Sequence, residues 1–224
     1  ARGDTVLAVD HDGEALKAVN GATLTLDLTA PDAAAQIAEA APIQRILHVA
    51  GISGTGAFET LPSAHHAKII ELNFEVPLRL TAALLAQRAM AKEAQHVFVG
   101  SLSTFTGYPG AVSYAASKDG LASFAASLNA ALPKGQSAAC VFPGPLATDH
   151  AARYAPDNSA KTVAARQDPY EAAGLILKAL DRGQRVIIPG AKAQALAWAG
   201  RLAPNTMARL LKKALFDKMD HPRL

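Results

Sequence analysis

The sequence predicts a doubly wound α/β fold, with a parallel β-sheet between two layers of helices in a three-layer sandwich. Three observations carry this expectation. Short apolar runs alternate with longer helical patterns along the 224 residues. The runs are continuously apolar rather than alternating, as in VLAV (6–9) and CVF (140–142), which is the pattern of strands buried on both faces. The residues able to carry chemistry follow those runs, where open α/β sheets bind ligands.

The elements follow in chain order. Residues 5–9 read as a strand rich in β-branched and aliphatic side chains, ending in the turn Asp10-His11-Asp12-Gly13. Residues 24–28 form a second strand, and Pro31-Asp32 opens a helix running to about residue 40. Residues 45–50 are a third strand, followed by the glycine-rich 51–56. A long helix spans Pro62 to Met90, kinked at Pro77. Its Ile69, Ile70, Leu72, Phe74 and Leu78 continue into an Ala/Leu run, so it should be buried. A strand at 96–100, a helix at 111–132, a strand at 138–142, a helix at 170–180 and a strand at 185–189 complete the pattern. Residues 1–190 make one domain, and 191–224 are its helical extension, broken at Pro204. In that extension Leu210, Leu211, Leu215, Phe216 and Met219 form an apolar stripe against Lys212, Lys213 and Lys218. The stripe is expected to pack on the domain or on a subunit partner.

Composition excludes several classes. The 22 basic and 19 acidic side chains leave a net charge of +3 and are scattered, whereas nucleic-acid binding needs a concentrated basic face. No apolar run reaches the roughly 20 residues of a membrane span. With one cysteine, Cys140, in an apolar run, no internal disulfide can form and a core position is expected. These features and the lack of a secretory pattern point to a soluble, cytoplasmic protein. No zinc-ligand spacing occurs, so no metal is expected. The adjacent His65 and His66 would point about 100° apart on a helix.

The chemistry centres on Tyr114-Ala-Ala-Ser-Lys118. Positions i and i+4 share a helix face, so the Lys118 ammonium can sit beside the Tyr114 hydroxyl and lower its pKa. A phenol tuned this way can exchange a proton with a substrate oxygen near neutral pH. Around this pair lie Ser101 after one strand, Asn73 in the long helix, and Pro143-Gly144 with Leu146 and Thr148 after another strand.

Together these residues, and above all the run GSLSTFTGYPGAVSYAASK from Gly100 to Lys118, resemble the short-chain dehydrogenase/reductase family. The resemblance implies a Rossmann-like fold and hydride transfer between NAD(H) and a secondary alcohol or ketone. It implies that Tyr114 is the general acid/base and that Lys118 tunes it and holds the nicotinamide ribose. Ser101 would bond the substrate oxygen, and Asn73 would anchor a water leading to Lys118. By the same resemblance Asp10 meets the adenosine ribose, Asp27 and Leu28 flank the adenine, and Ala50-Gly51 stand at the end of the family's Asn-Asn-Ala-Gly element. Pro143, Gly144, Leu146 and Thr148 would bind the carboxamide end. A carboxylate at Asp10, followed by His11 rather than arginine, repels a 2′-phosphate and so favours NAD over NADP. The site loops are apolar, which suggests a hydrophobic substrate. A homodimer or homotetramer is what the resemblance implies.

Two departures from the family pattern stand out. Its Asn-Asn-Ala-Gly element is His48-Val49-Ala50-Gly51 here, and His48 is expected to be structural. The first strand and its glycine-rich loop have no counterpart, so roughly 25 to 35 further residues, one βα unit, are expected upstream. Gly51, Gly54 and Gly56 imitate the spacing of that loop, but Phe58 to Pro62 separate them from a helix, and a pyrophosphate loop must open directly into one. His150, beside Thr148 in the expected substrate loop at 149–168, could touch substrate, but the surface reading is preferred. The incomplete cofactor loop leaves one competing expectation, a catalytically silent relative that binds nucleotide or a partner.

Overall fold

Parallel strands need a crossover connection such as a helix, and every pairing between the strands described here is parallel. The structure is a computed structural model and describes residues 3–155, 159–218 and 222–224. β1 (Leu7–Asp10) pairs with β2 (Ala22–Thr25). β3 (Ile43–His48), β4 (Met90–Val99), β5 (Ser137–Val141) and β6 (Val186–Ile187) form a second sheet in that order. β1 and β3 are not paired with each other, yet the two sheets share a core. Val9 and Leu24 of one and Ile43 and Ile46 of the other pack on Leu26, Ile37, Val76, Leu80 and Leu84. The last of these come from α2 (Ala33–Ala38) and α4 (Val76–Ala86).

The period-two alternation of β4 and β5 divides the molecule into layers. Phe98, Ala138 and Cys140 face Leu121 and Ala125 of α6 (Val112–Ala131). Val97, Ala139 and Val141 face Leu180, Ile176 and Leu177 of α9 (Pro169–Asp181). Phe98 is fully buried, and a side chain of its size contributes roughly 1.5–3 kcal/mol by leaving water. Cys140 lies in this core as expected, and burial pushes its thiol up to about 12, so it is inert.

The long helix expected from Pro62 to Met90 is divided in three. α3 (Ser63–Ile70) passes through a π-helical turn (Glu71–Glu75) into α4. Pro77 sits in the first turn of α4, where a missing N–H costs nothing. The helix ends at Ala86, and Arg88 turns the chain at φ 56°. Met90 then pairs with Ile43, so the end of the apolar run belongs to β4 rather than to a helix. Helical periodicity cannot distinguish a buried helix from a buried strand that follows it directly. β2 and β6 are also shorter than expected.

The extension folds back onto the domain. α10 (Ala191–Leu202) packs on α5 (Ser103–Thr106), with the Arg201 guanidinium 4.4 Å from the Phe105 ring centre. α11 (Pro204–Leu215) brings Ala208 against Gly107. The expected stripe is only partly covered, since Leu210 is exposed while Leu211 and Phe216 are half-buried. Met219 lies outside the described residues, as do the side chains of Leu215 and Lys218. No helix among the described residues is long and apolar enough to cross a membrane.

Gly200 is where α10 touches α5, and a Cβ there would fall on the Phe105 carbonyl. Gly200→Ala should therefore cost roughly 1–3 kcal/mol in urea unfolding. Gly174→Ala, in α9 with nothing within 4 Å of its would-be Cβ, should instead gain about 0.5–1 kcal/mol. Equal effects at the two sites would contradict the close approach at Gly200.

Candidate active site

The segments after β1, β2, β3, β4 and β5 all begin at the C-terminal ends of parallel strands, and so at one edge of the sheets. Asp10, Asp27, Leu28, Ala50, Gly51, Ser101, Pro143, Gly144, Leu146 and Thr148 stand on that edge. Tyr114 and Lys118 reach it from the first turns of α6.

Lys118 is 4% exposed, and its Nζ donates to the Val99 carbonyl at 2.8 Å. Burial lowers its pKa from 10.5 to about 8. Nζ lies 5.7 Å from the Tyr114 ring centre. Ser101 accepts from the Ser103 N–H at 3.2 Å, and its hydroxyl beside the Tyr114 phenol favours the phenolate. Asn73, fully buried in the π-helical turn, accepts from the Ile52 N–H at 2.8 Å. Its amide donates to the Ile52 carbonyl at 2.9 Å and to Ser117 Oγ at 3.0 Å. Ser117 in turn donates to the Tyr114 carbonyl at 2.7 Å. Asn73 thus clamps the loop after β3 to the helix that carries Tyr114. Gly51 sits within this clamp, since a Cβ there would be 2.9 Å from Asn73 Oδ1 and 3.4 Å from Lys118 Nζ.

One expectation is overturned. Lys118 was expected to lower the pKa of Tyr114, but in this geometry the phenol is raised. Burial is the largest cause, the Ser101 hydrogen bond lowers it, and Tyr108 raises it again. The ammonium is directed at the Val99 carbonyl and the phenol's desolvation prevails.

The remaining expected residues fall into two groups. Asp10 Oδ1 accepts from the Asp12 N–H at 3.0 Å and meets His11 Nδ1 at 3.0 Å, with its side chain half in solvent. Asp27 is exposed, and hydrogen bonds from the Thr29 hydroxyl and N–H hold its carboxyl below the ordinary value. The Pro143 carbonyl accepts from the Leu102 N–H at 3.1 Å, and Leu146 bridges Gln167. Thr148 caps α7 (Asp149–Tyr154), its hydroxyl accepting from the Ala151 N–H at 3.2 Å.

α7 brings to the cleft His150, which the sequence had placed in the substrate loop, and Tyr154, which sequence reasoning passed over. The His150 ring lies 6.4 Å from the Tyr114 ring and 4.9 Å from that of Tyr154, centre to centre. His150 keeps an exposed face, yet crowding on its other sides lowers its pKa, with Lys118 and Arg153 adding to the effect. Tyr108 also belongs here, and burial raises its pKa. The only hint of Tyr108 and Tyr154 in the sequence was their place on either side of the Tyr114 motif. Residues 156–158 of the expected substrate loop lie outside the described residues.

His48 is structural, as expected. It is buried, stacks on Phe98 at 4.9 Å, and lies 3.4 Å from the Thr81 hydroxyl. His65 and His66 have separate partners, Ser53 O for the first and Phe58 O and Ser113 Oγ for the second.

Comparison with known proteins adds to this geometry. The model of a family described as short chain dehydrogenase matches residues 2–159. An uncharacterized oxidoreductase from Myxococcus xanthus is 29% identical over 199 residues, which is 86% of this chain and 73% of that protein. A short-chain dehydrogenase from Streptomyces avermitilis superposes with a TM-score of 0.75 at 23% identity, over 95% of this chain and 88% of that one. One from Sphingobium yanoikuyae, in complex with NADPH, gives a TM-score of 0.72 at 25% identity, over 89% and 84% of the two chains. The fold is the doubly wound, Rossmann-like one.

The buried histidines make stability depend on pH. Burial, then the charge of His96, lowers His48 from 6.5 to about 3, and burial lowers His96 as well. An unfolded chain takes up these protons near 6.5, so the stability they contribute is complete above that pH and is lost as pH falls toward 3. Between pH 7.5 and 4.5, urea unfolding should show His48 accounting for a loss of roughly 2–3 kcal/mol. In His48→Gln that loss should shrink by the same amount. An unchanged pH dependence would contradict the burial of a neutral ring.

Proposed function

The chain belongs to the short chain dehydrogenase family, nicotinamide-dependent oxidoreductases, and from that premise we propose that it interconverts a secondary alcohol and a ketone. The observation that carries this reading is the Lys118 ammonium, 5.7 Å from the Tyr114 ring centre, with the Ser101 hydroxyl beside the same phenol, at the C-terminal edge of the sheet.

The residues fit a dinucleotide. Lys118 Nζ is buried and donates to one protein acceptor, the Val99 carbonyl. An ammonium has three donors, which leaves two for the hydroxyls of a nicotinamide ribose. When bound, the nicotinamide would give or take the hydride at the carbinol carbon. Tyr114 would handle the proton. Its raised pKa keeps it protonated at neutral pH, so in the direction of ketone reduction it donates to the carbonyl oxygen. Ser101, beside the phenol, would bond the same oxygen and hold it in line. Lys118, with its pKa near 8, can return a proton to the phenolate from the buried side. The Asn73 clamp keeps Gly51 against that lysine.

The two cofactors divide the observations. Asp10 argues for NAD, because a carboxylate repels a 2′-phosphate. The relative from Sphingobium yanoikuyae binds NADPH, and the relatives lean toward the phosphorylated form. His11, held to Asp10 at 3.0 Å, partly offsets that carboxylate when it is protonated. The reading we propose is a nicotinamide dinucleotide, with both forms to be measured. The competing reading, binding without turnover, is favoured by the raised phenol and the engagement of Lys118 with Val99.

Dinucleotide-linked turnover on a panel of secondary alcohols and ketones, both apolar and bearing a second polar group, run with NAD(H) and NADP(H), separates the readings. Tyr114→Phe should lose at least about 100-fold in turnover, while the affinity for reduced dinucleotide, read by fluorescence titration, stays within about twofold. Turnover retained in Tyr114→Phe would overturn the role. Tight binding with no turnover by the unaltered protein would favour the silent relative.

A further inference from the structure

Thr55, in the loop after β3, is buried at 1% exposure, and each of its polar groups is bound to a different part of the chain than its neighbours in sequence. Its N–H donates to the Arg223 carbonyl at 2.9 Å, and its own carbonyl accepts from the Arg223 N–H at 2.7 Å. These two bonds make an antiparallel bridge to the segment 222–224. Its hydroxyl donates to the Tyr154 carbonyl at 2.9 Å, at the last turn of α7. The next residue, Gly56, donates to the Gly110 carbonyl at 2.9 Å, just before α6. A Cβ at Gly56 would lie 2.9 Å from Pro222, so the bridge is packed as well as bonded.

What this junction holds is α7. A helix of six residues has no stability of its own, so its attachments decide where its side chains point. Thr148 fixes its start and Thr55 fixes its end. Between them His150 packs on Tyr154 and faces the Tyr114 ring. The neighbouring cations are Lys118 from α6 and Arg153 from α7.

We propose that Thr55, acting through the Tyr154 carbonyl and the Arg223 bridge, is a positioning residue that holds the His150 imidazole over the substrate side of the cleft. There the ring hydrogen-bonds a second polar atom of the substrate, close to the reacting carbinol. The substrate clause rests on the oxidoreductase reading above, and the positioning clause does not. A neutral imidazole can donate or accept, so the substrate class selected is an alcohol or ketone with a further oxygen or nitrogen near the reacting carbon. A purely apolar ketone covering the ring would leave it unpaired.

The test uses the full chain and the isosteric Thr55→Val, with Thr55→Ser as the conservative variant that keeps the hydroxyl. The readout is the pH titration of the histidine ring resonances, with His150 assigned by its loss in His150→Gln. In the unaltered protein His150 should titrate below 6.5. In Thr55→Val it should move toward 6.5, and in Thr55→Ser it should stay, while His48 and His96 do not change. Arg223→Pro, which removes one bridge donor, should shift His150 in the same direction and covers the case in which Thr55→Val does not fold. An unmoved His150, or a shift of all three histidines together, overturns the positioning role. In turnover, Thr55→Val should raise KM about tenfold for a ketone bearing an adjacent hydroxyl, with kcat and dinucleotide affinity within about twofold. A parallel fall in all three parameters also overturns it. A shifted His150 in a protein that turns over nothing keeps the clasp and sinks the oxidoreductase reading instead.

Discussion

Lys118 carries an ammonium to a place that is 4% exposed, with the Val99 carbonyl at 2.8 Å as its acceptor. Burial of a charge disfavours the charged form, and the pKa near 8 records that strain. Much of the site is arranged around the requirement this creates. β4 must end where its last carbonyl meets Nζ. α6 must pass close enough for the side chain to reach it, which Ser117 and Asn73 secure through their bonds. Glycine at position 51 in the loop after β3 suits this packing, because a Cβ there would come within 2.9 Å of Asn73 Oδ1. The π-helical turn gives Asn73 its fully buried position, and such insertions in helices are frequent at functional sites.

The parts legible in the sequence were those written locally. Tyr114 and Lys118 are one helical turn apart, so their spacing alone puts them on one face. Strands β4 and β5 announced themselves as continuous apolar runs, and the residues after them could be placed at the ligand edge of a parallel sheet without knowing any contact. What escaped the sequence depends on distance or on competition. The bridge from Thr55 to Arg223 joins residues far apart in the chain and leaves no periodicity. The end of the long helix depended on Met90 finding Ile43 across the sheet. The acidity of Tyr114 turned on desolvation against a charge, and proximity in sequence says nothing of which prevails.

The polar groups of the cleft differ in how they are held. Tyr114 and Lys118 stand on the long helix α6, which is packed into the core, and Ser101 directly follows the long strand β4. His150 stands on a helix of six residues tied by single hydrogen bonds. Groups that act on any substrate of a family can be rigid, whereas a group that selects one substrate gains from a support that changes easily. The C-terminal extension contributes to both, since α10 packs behind Ser101 through α5 and the segment 222–224 reaches the loop beside α7.

The ionisation of Lys118 tests this account most directly. With lysines labelled at Cε, a carbon NMR titration should show one lysine changing charge near pH 8, apart from the others, and that signal should vanish in Lys118→Met. If every lysine titrates at the ordinary 10.5, the ammonium is not buried behind the phenol and the arrangement described here is wrong.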